Sequence, residues 1–403
     1  MSGVAIKRGS TQGRLPGAGR AMHASRVVMI NPALMSCAAA LFLSLLGVVV
    51  IGTTEPGYAA RHAMLLSVSL VTACIVAWVH PRTWCQLAIP GMVFTLGLLV
   101  FVLVPWIPDA LVHPRHGARR WINLGLIDMQ PSELAKVSYI VVLAAYFRYR
   151  KNHRSLRGLV IPLGLTLIPI GLILVEPDLG TSLLFLPTLF AMLIAAGARF
   201  KHLLILILLG LVAAGCMAPL LKPHQRARIA AMVAHVQGDT QFDHDIGFQG
   251  ARARTLIGAG GLTGLGREQA SVLIEYNHLP EEHNDMVFAV IGCRWGLLGA
   301  GVTWLAFLVL AVGGIIAAAR TKEAFSRLLA VGIVAMLVSQ MLINTGMTIG
   351  LMPITGLTLP FVSYGGSSLI IAWIMMGLLM GISMRRSPIL AKSPFEFDDG
   401  EDE

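Results

Sequence analysis

Ten long apolar runs constrain this chain more than any other feature, because about 20 such residues span a hydrocarbon core. They lie at roughly 33–53, 62–79, 86–107, 132–147, 159–175, 179–197, 203–220, 297–318, 327–349 and 367–384. The runs are continuous and do not alternate, so they predict helices and not a barrel. Only 13% of the 403 residues are charged, where a soluble domain carries about 25%. The expectation is an all-α integral membrane protein with ten transmembrane helices, and one large polar loop, about 221–284, between the seventh and the eighth. The formal net charge of +10 does not imply a nucleic-acid partner, because the basic residues sit at the ends of spans and not on one patch.

The placement of basic residues orients the chain. Lys7, Arg8, Arg14, Arg20 and Arg26 precede the first span. Arg148, Arg150, Lys151, Arg154 and Arg157 follow the fourth, and Arg320, Lys322 and Arg327 follow the eighth. This bias puts both termini in the cytoplasm and the large loop outside. Residues 1–32 read as a basic, disordered cytoplasmic tail without the apolar core of a signal peptide. Residues 33–386 form the polytopic domain, and 387–403 an acidic cytoplasmic tail. Cys37, Cys74, Cys85, Cys216 and Cys293 lie in or beside apolar runs without paired spacing, which predicts neither a disulfide nor a zinc site.

Chemistry-bearing residues gather at the expected outer ends of the spans. Asp285 follows Tyr276-Asn277-His278-Leu279-Pro280-Glu281-Glu282-His283-Asn284 and precedes an apolar run, so its carboxylate stands where water ends. Ionisable groups at such depth are functional candidates, although Asp also suits the N-cap of the following helix. Arg115, Arg119 and Arg120 sit in the outer loop 108–131, against the charge rule, where an anionic ligand or lipid headgroups would hold them. Glu133 and Lys136 are three apart on one helix face, the spacing of an ion pair. Glu176-Pro177-Asp178-Leu179-Gly180-Thr181 reads as a tight turn whose carboxylates suit capping. Residues 226–237 have the apolar spacing of an amphipathic surface helix. Gly258 to Gly266 is Gly-rich but follows no strand, so it reads as a flexible or close-packed turn and not a nucleotide loop. His278 and His283 are five apart, the wrong spacing for a metal pair on one helix face. Gly350 to Ser368 holds Pro353, Pro360 and several glycines and cannot be one helix. Non-helical backbone at membrane depth requires burial in protein or a wet cavity.

Taken together, these stretches resemble the SEDS (shape, elongation, division and sporulation) family of bacterial membrane proteins, the FtsW and RodA type. The resemblance is carried by Gly117-Ala118-Arg119-Arg120-Trp121-Ile122 with Gln130 to Lys136, by Glu176 to Thr181, by Leu279 to Gly292, and by Asn344 to Ser368. It implies a peptidoglycan glycosyltransferase that polymerises lipid II on the outer face of the bacterial cytoplasmic membrane. A class B penicillin-binding transpeptidase is the implied partner, with other membrane proteins of the division or elongation machinery. His283-Asn284-Asp285-Met286 stands where the family has His-Thr-Asp-Phe, which makes Asp285 the implied catalytic base. Arg119, Arg120 and Lys136 are the implied diphosphate contacts, Glu133 orients Lys136, and His283, Ser363 and Tyr364 complete the substrate set. No cofactor is required by the resemblance; a divalent cation, Mg or Mn, is optional, and no residue is assigned to it. Cys293 and Arg294 replace two family acids, and Glu176 stands where Gln is commoner. Within the family, Gly356-Leu357-Thr358-Leu359-Pro360 leans toward the division-type FtsW, and Pro353-Ile354-Thr355-Gly356 toward the elongation-type RodA. A lipid II flippase and a non-catalytic scaffold are the alternatives.

The charge bias makes a direct topological prediction. Reporter tags at Lys151 and Lys322 are expected in the cytoplasm and tags at His113 and Gln241 outside; positions 151 and 241 on one side would overturn the ten-span reading.

Overall fold

The structure is a computed structural model that describes residues 31–115, 118–125, 128–149, 155–217 and 247–385, with isolated positions between 226 and 237. The expected amphipathic helix at 226–237 falls mostly outside the described residues, as do both tails and Arg150, Lys151 and Arg154.

Each of the ten apolar runs falls on a helix. The helices are α1 Pro32–Thr54, α2 Pro56–Trp78, α3 Pro81–Gln86, α4 Ala88–Leu103, α5 Pro131–Tyr149, α6 Val160–Val175 and α7 Leu179–Ala196. They continue as α8 Phe200–Met217, α9 Phe248–Gly260, α10 Gly266–Asn277, α11 Val287–Ala319, α12 Ala324–Thr348 and α13 Gly366–Met384. Seven are long and apolar enough to cross a membrane: α1, α2, α6 with its leading turn, α7, α11, α12 and α13. α4 and α8 are apolar but shorter, and α5 carries Glu133 and Lys136 in its first turns. Proline opens α1, α2 and α3, where its fixed φ suits a helix start and its missing N–H costs nothing. α11 runs through residues 287–296, which joins that stretch to the eighth span, and it breaks at Gly296 (φ 63°, ψ −155°).

Unlike a soluble protein, the chain is apolar on much of its surface as well as inside. Val71, Ile75, Trp78, Ile89, Phe94 and Trp106 are exposed, as lipid-facing side chains must be, while Leu43, Ile51, Leu143, Phe185 and Phe307 fill the interior. Hydrocarbon solvates these exposed side chains as well as it solvates Leu, so helices associate through close approach of small residues. α13 packs along α2 in this way: a Cβ at Gly377 would stand 2.5 Å from the Ala73 carbonyl oxygen.

One of the polar connections departs from expectation. The loop 108–131, expected on the outer side, carries a small antiparallel sheet, which corrects the all-α reading. Its strands are β1 Val112–Arg115, β2 Ala118–Asn123 and β3 Asp128–Met129, in the order β1-β2-β3. Val112 pairs with Ile122, Ile122 with Met129, and the register slips between His113 and Pro114. Such strands are too short to show alternation, and only Val112, Ala118 and Ile122 are buried, so no periodic signal marked them.

The Gly-rich stretch resolves to a close-packed turn. Between α9 and α10 it lies against the break in α11: Leu265 N–H donates to the Cys293 carbonyl (3.0 Å), Leu297 N–H to Gly261 (2.9 Å) and Leu298 N–H to Leu262 (3.1 Å). A Cβ at Gly260 would lie 1.9 Å from the Gly292 carbonyl oxygen, whereas one at Gly258 would meet nothing within 4 Å. Gly260→Ala is therefore expected to cost about 1–3 kcal/mol through overpacking and to lower the melting temperature in detergent. Gly258→Ala, in the same helix, is expected to leave it unchanged or raise it slightly.

Candidate active site

Asp285 ends a run of turns at residues 280–286, in which Glu281 adopts a left-handed φ of 53°. The N-cap of α11 is Met286, with no side-chain capping bond, so Asp285 is not that helix's cap. The side chain is 6% exposed. Gln249 of α9 donates from Nε2 to the carboxylate Oδ1 at 3.4 Å and to the Pro280 carbonyl at 3.3 Å. The other carboxylate oxygen faces Gly356, whose φ is +73°; a Cβ there would lie 3.9 Å from Oδ2.

The segment 350–368 forms the wall behind this carboxylate; its later part is buried, with Leu357, Leu359, Phe361, Val362 and Ser363 all inside the protein, while Leu351 and Met352 are exposed. Side chains of α12 satisfy its backbone. Asn344 Nδ2 donates to the carbonyls of both Asp285 and Leu357, each at 2.7 Å. One turn earlier, Gln340 Nε2 donates to the Thr358 carbonyl (2.9 Å) and Oγ1 (3.3 Å). Ser363, expected to touch substrate, instead accepts the Leu359 N–H on Oγ at 2.7 Å and holds the wall's shape. Tyr364 N–H donates to the His283 carbonyl (2.8 Å), which ties the wall to the turn that carries Asp285.

Lys136 is enclosed by protein. It is 1% exposed, with Nζ 2.8 Å from each Glu133 oxygen and 3.0 Å from Gln340 Oε1. Two of its donors go to Glu133 Oε1 and Gln340 Oε1, and its burial leaves it no open face for a diphosphate; the expected ligand is a buried support of Gln340. Arg119 is likewise engaged, with the carbonyls of Pro105 and Ile107 and with Asp109 at 3.6 Å. Arg120 lies nearest to the expected role. Its Nε and Nη2 donate to the carbonyls of Glu176 (2.5 Å) and Pro177 (2.7 Å), and Nη1 has no partner among the described residues.

The turn before α7 separates its two carboxylates by role. Asp178 caps α7 through the Thr181 N–H (3.1 Å) and also accepts Thr181 Oγ1 (2.8 Å) and Gln130 Nε2 (3.0 Å). Just inside α7, Gly180 packs on Thr355 and Leu357, so this turn abuts the wall behind Asp285. Glu176 is buried, and neither of its oxygens has a hydrogen-bond partner among the described residues. Burial first, then Asp178, pushes its carboxyl up to about 8 against the opposing pull of Arg120. Around Asp285, burial and then Glu55 raise Glu282 to about 7, while burial lowers His283.

Cys293 and Arg294, which stand in place of two family acids, have structural partners. Cys293 is buried, and Arg294 reaches the Val49 carbonyl (2.9 Å) and Thr53 of α1 while lying 4.2 Å over the Trp295 ring. Three contributors to the site escaped the sequence reading: Gln249, Gln340 and Asn344. The last two had a signal, a pair of amides one turn apart inside an apolar run; Gln249 in a polar loop had none.

Similarity to known proteins agrees with this geometry. A family profile described as "Cell cycle protein", covering FtsW, RodA and SpoVE, matches residues 25–388. Stage V sporulation protein E of Bacillus subtilis is 34% identical over 329 residues, covering 81% of this chain and 87% of that protein. A probable peptidoglycan glycosyltransferase FtsW of Coxiella burnetii is 35% identical over 340 residues, covering 81% and 86%. Among solved structures, a chain of a peptidoglycan synthase complex that coordinates polymerization and crosslinking superposes with a TM-score of 0.75 at 31% identity, covering 88% of this chain and 98% of that one. The rod shape determining protein RodA of Thermus thermophilus superposes at 0.63 with 27% identity, covering 87% and 95%.

Glu176 makes the pH prediction of this site. Its carboxyl releases a proton near 4.5 when unfolded and near 8 when folded. The folded state therefore binds more protons between these values, and stability falls as pH rises through that window. Glu176→Gln removes the titration: it is expected to melt higher than the parent at pH 8.5 and to lose that advantage by pH 5. An equal difference at both pH values would show that Glu176 does not titrate there.

Proposed function

Because the chain belongs to the FtsW, RodA and SpoVE family, we infer its chemistry from that membership: it is a peptidoglycan glycosyltransferase. Its substrate in this reading is lipid II, a disaccharide peptide on undecaprenyl diphosphate, and its role is the division-type one. The observation that carries the mechanism is the buried carboxylate of Asp285, held from its backbone side by Asn344 and from its side chain by Gln249.

Asp285 takes the proton from the 4-hydroxyl of the acceptor sugar as that oxygen bonds to the donor's anomeric carbon. The bond from that carbon to the diphosphate oxygen breaks, and undecaprenyl diphosphate leaves with the electron pair. One carboxylate acting as base, with no covalent intermediate, gives inversion at the anomeric carbon. Arg120 Nη1 is the group available to steady the departing diphosphate, fixed in direction by the two carbonyls that hold the rest of its guanidinium. Lys136 and Glu133 act at one remove, through Gln340 and the wall. Among the described residues no three His, Cys, Asp or Glu side chains gather as a metal group, and no step is routed through Mg or Mn.

The ten helices that match the apolar runs support a ten-span topology with both ends in the cytoplasm and Asp285 at the outer surface of the inner membrane. A class B transpeptidase is the expected partner, packed through membrane spans. An apolar groove of about 270 Å³ between α11 and α12, lined by Trp304, Leu308, Ala311, Val338 and Met341, suits side chains of such a span. This occupant follows from similarity to a chain taken from a complex that joins polymerization to crosslinking.

Asp285→Asn keeps the size of the side chain and removes its basicity. Polymerisation of labelled lipid II is expected to fall on the order of 10²–10⁴-fold, the usual worth of a general base. Substrate binding and assembly with the partner are expected to persist. Wild-type turnover in this variant would overturn the assignment of Asp285 as base.

A further inference from the structure

Tyr58 opens α2, an element outside every motif that identifies the site, yet it lies against the catalytic turn. Its ring stacks on His283 with centroids 4.7 Å apart and planes inclined by 21°, and it stands 4.8 Å from Tyr364 at 46°. His283 and Tyr364 are 5.9 Å apart, so the three rings form one cluster. His283 is two residues from Asp285, and the Tyr364 N–H bond to its carbonyl locks the cluster to that turn.

Two features distinguish the cluster from packing or from an interfacial belt. A packing residue would be buried and a belt tyrosine would turn its ring to lipid, whereas Tyr58 is 39% exposed and stacked on an imidazole. The cluster also contains a polar atom that lacks a partner among the described residues. His283 Nδ1 is buried there without a hydrogen bond, and His62, 0% exposed, has its ring 6.3 Å from Tyr364. Glu55 and Glu282 lie within electrostatic reach of each other, and Glu55 also of His283. An aromatic face bordered by imidazole nitrogens and carboxylates matches one ligand chemistry well. A pyranose presents electron-poor C–H hydrogens on its face, which suit the negative face of a π-system, and hydroxyl or N-acetyl groups at its rim.

We propose that Tyr58 is a positioning residue that stacks one sugar ring of the glycan substrate, with His283 and Tyr364 as its backing. The proposal rests on the glycosyltransferase reading and adds to it the surface that orients the sugar over Asp285.

The test uses the full chain in lipid nanodiscs, with two readouts and three variants. Saturation-transfer NMR reports contact between the protein and a β-1,4-linked N-acetylglucosamine–N-acetylmuramic acid disaccharide, and steady-state polymerisation of lipid II reports KM and kcat. Tyr58→Leu fills the volume without a π face. It is expected to lose most of the saturation transfer and to raise KM about tenfold, with kcat within about twofold. Tyr58→Phe should keep both parent values, and Asp285→Asn should keep saturation transfer while losing kcat. Parent KM and undiminished saturation transfer in Tyr58→Leu would overturn the proposal, as would equal losses in the Leu and Phe variants or no saturation transfer from the parent chain to the disaccharide. Tyr58-dependent saturation transfer in a parent chain that polymerises nothing would keep the platform and remove the glycosyltransferase reading.

Discussion

The structure depends on satisfying a stretch of non-helical backbone, residues 350–365, between two apolar helices. Its buried part, around 357–363, is closed off from solvent, so its polar groups need partners within the protein. Two amides on one face of α12 supply some of them. Gln340 takes the Thr358 carbonyl, and Asn344 takes those of Leu357 and Asp285. The same two side chains that make the broken segment tolerable therefore set the height and orientation of the carboxylate in front of it. Stability and the geometry of the candidate site share one set of bonds.

The buried Glu133–Lys136 pair fits this arrangement. A buried ion pair often contributes little net stability, because desolvating both groups offsets their attraction. Lys136 nevertheless directs Gln340, since its ammonium holds Oε1 and so turns the amide N–H₂ toward Thr358. Its value is in fixing that amide's orientation. Glu176 shows the opposite case. Its neighbour Arg120 directs Nε and Nη2 to backbone carbonyls and not to the carboxylate, which is left buried without a hydrogen bond among the described residues and favours its neutral form.

The departures at Cys293 and Arg294 have a consistent physical account. α11 breaks at Gly296 so that the Gly-rich turn can pack against it, and a broken helix needs lateral support. Arg294 provides it by reaching across to the carbonyl end of α1, while Trp295 covers the guanidinium. The site keeps its carboxylate at Asp285 and uses the neighbouring positions for scaffold.

The sequence by itself determined the membrane class, the ten helical runs, the break at 350–368 and Asp285 as the carboxylate of interest. Each of these follows from local properties: length of apolar runs, Pro and Gly content, and a charge placed at the edge of hydrocarbon. Tertiary structure alone decided which charges remain available. Arg119, Arg120 and Lys136 look equivalent as cations in a sequence, but hydrogen bonds to residues 14, 56 and 204 positions away occupy them to different degrees. It also decided that Ser363 supports the wall, that Gln249 reaches Asp285 from 36 residues away, and that Tyr58 joins the site from α2. The short sheet at 112–129 was hidden for the same reason, since its strands are held by pairing and three buried side chains and not by a periodic pattern. Partner choice for a polar group is a long-range property of the chain. Local composition records only that a partner will be needed.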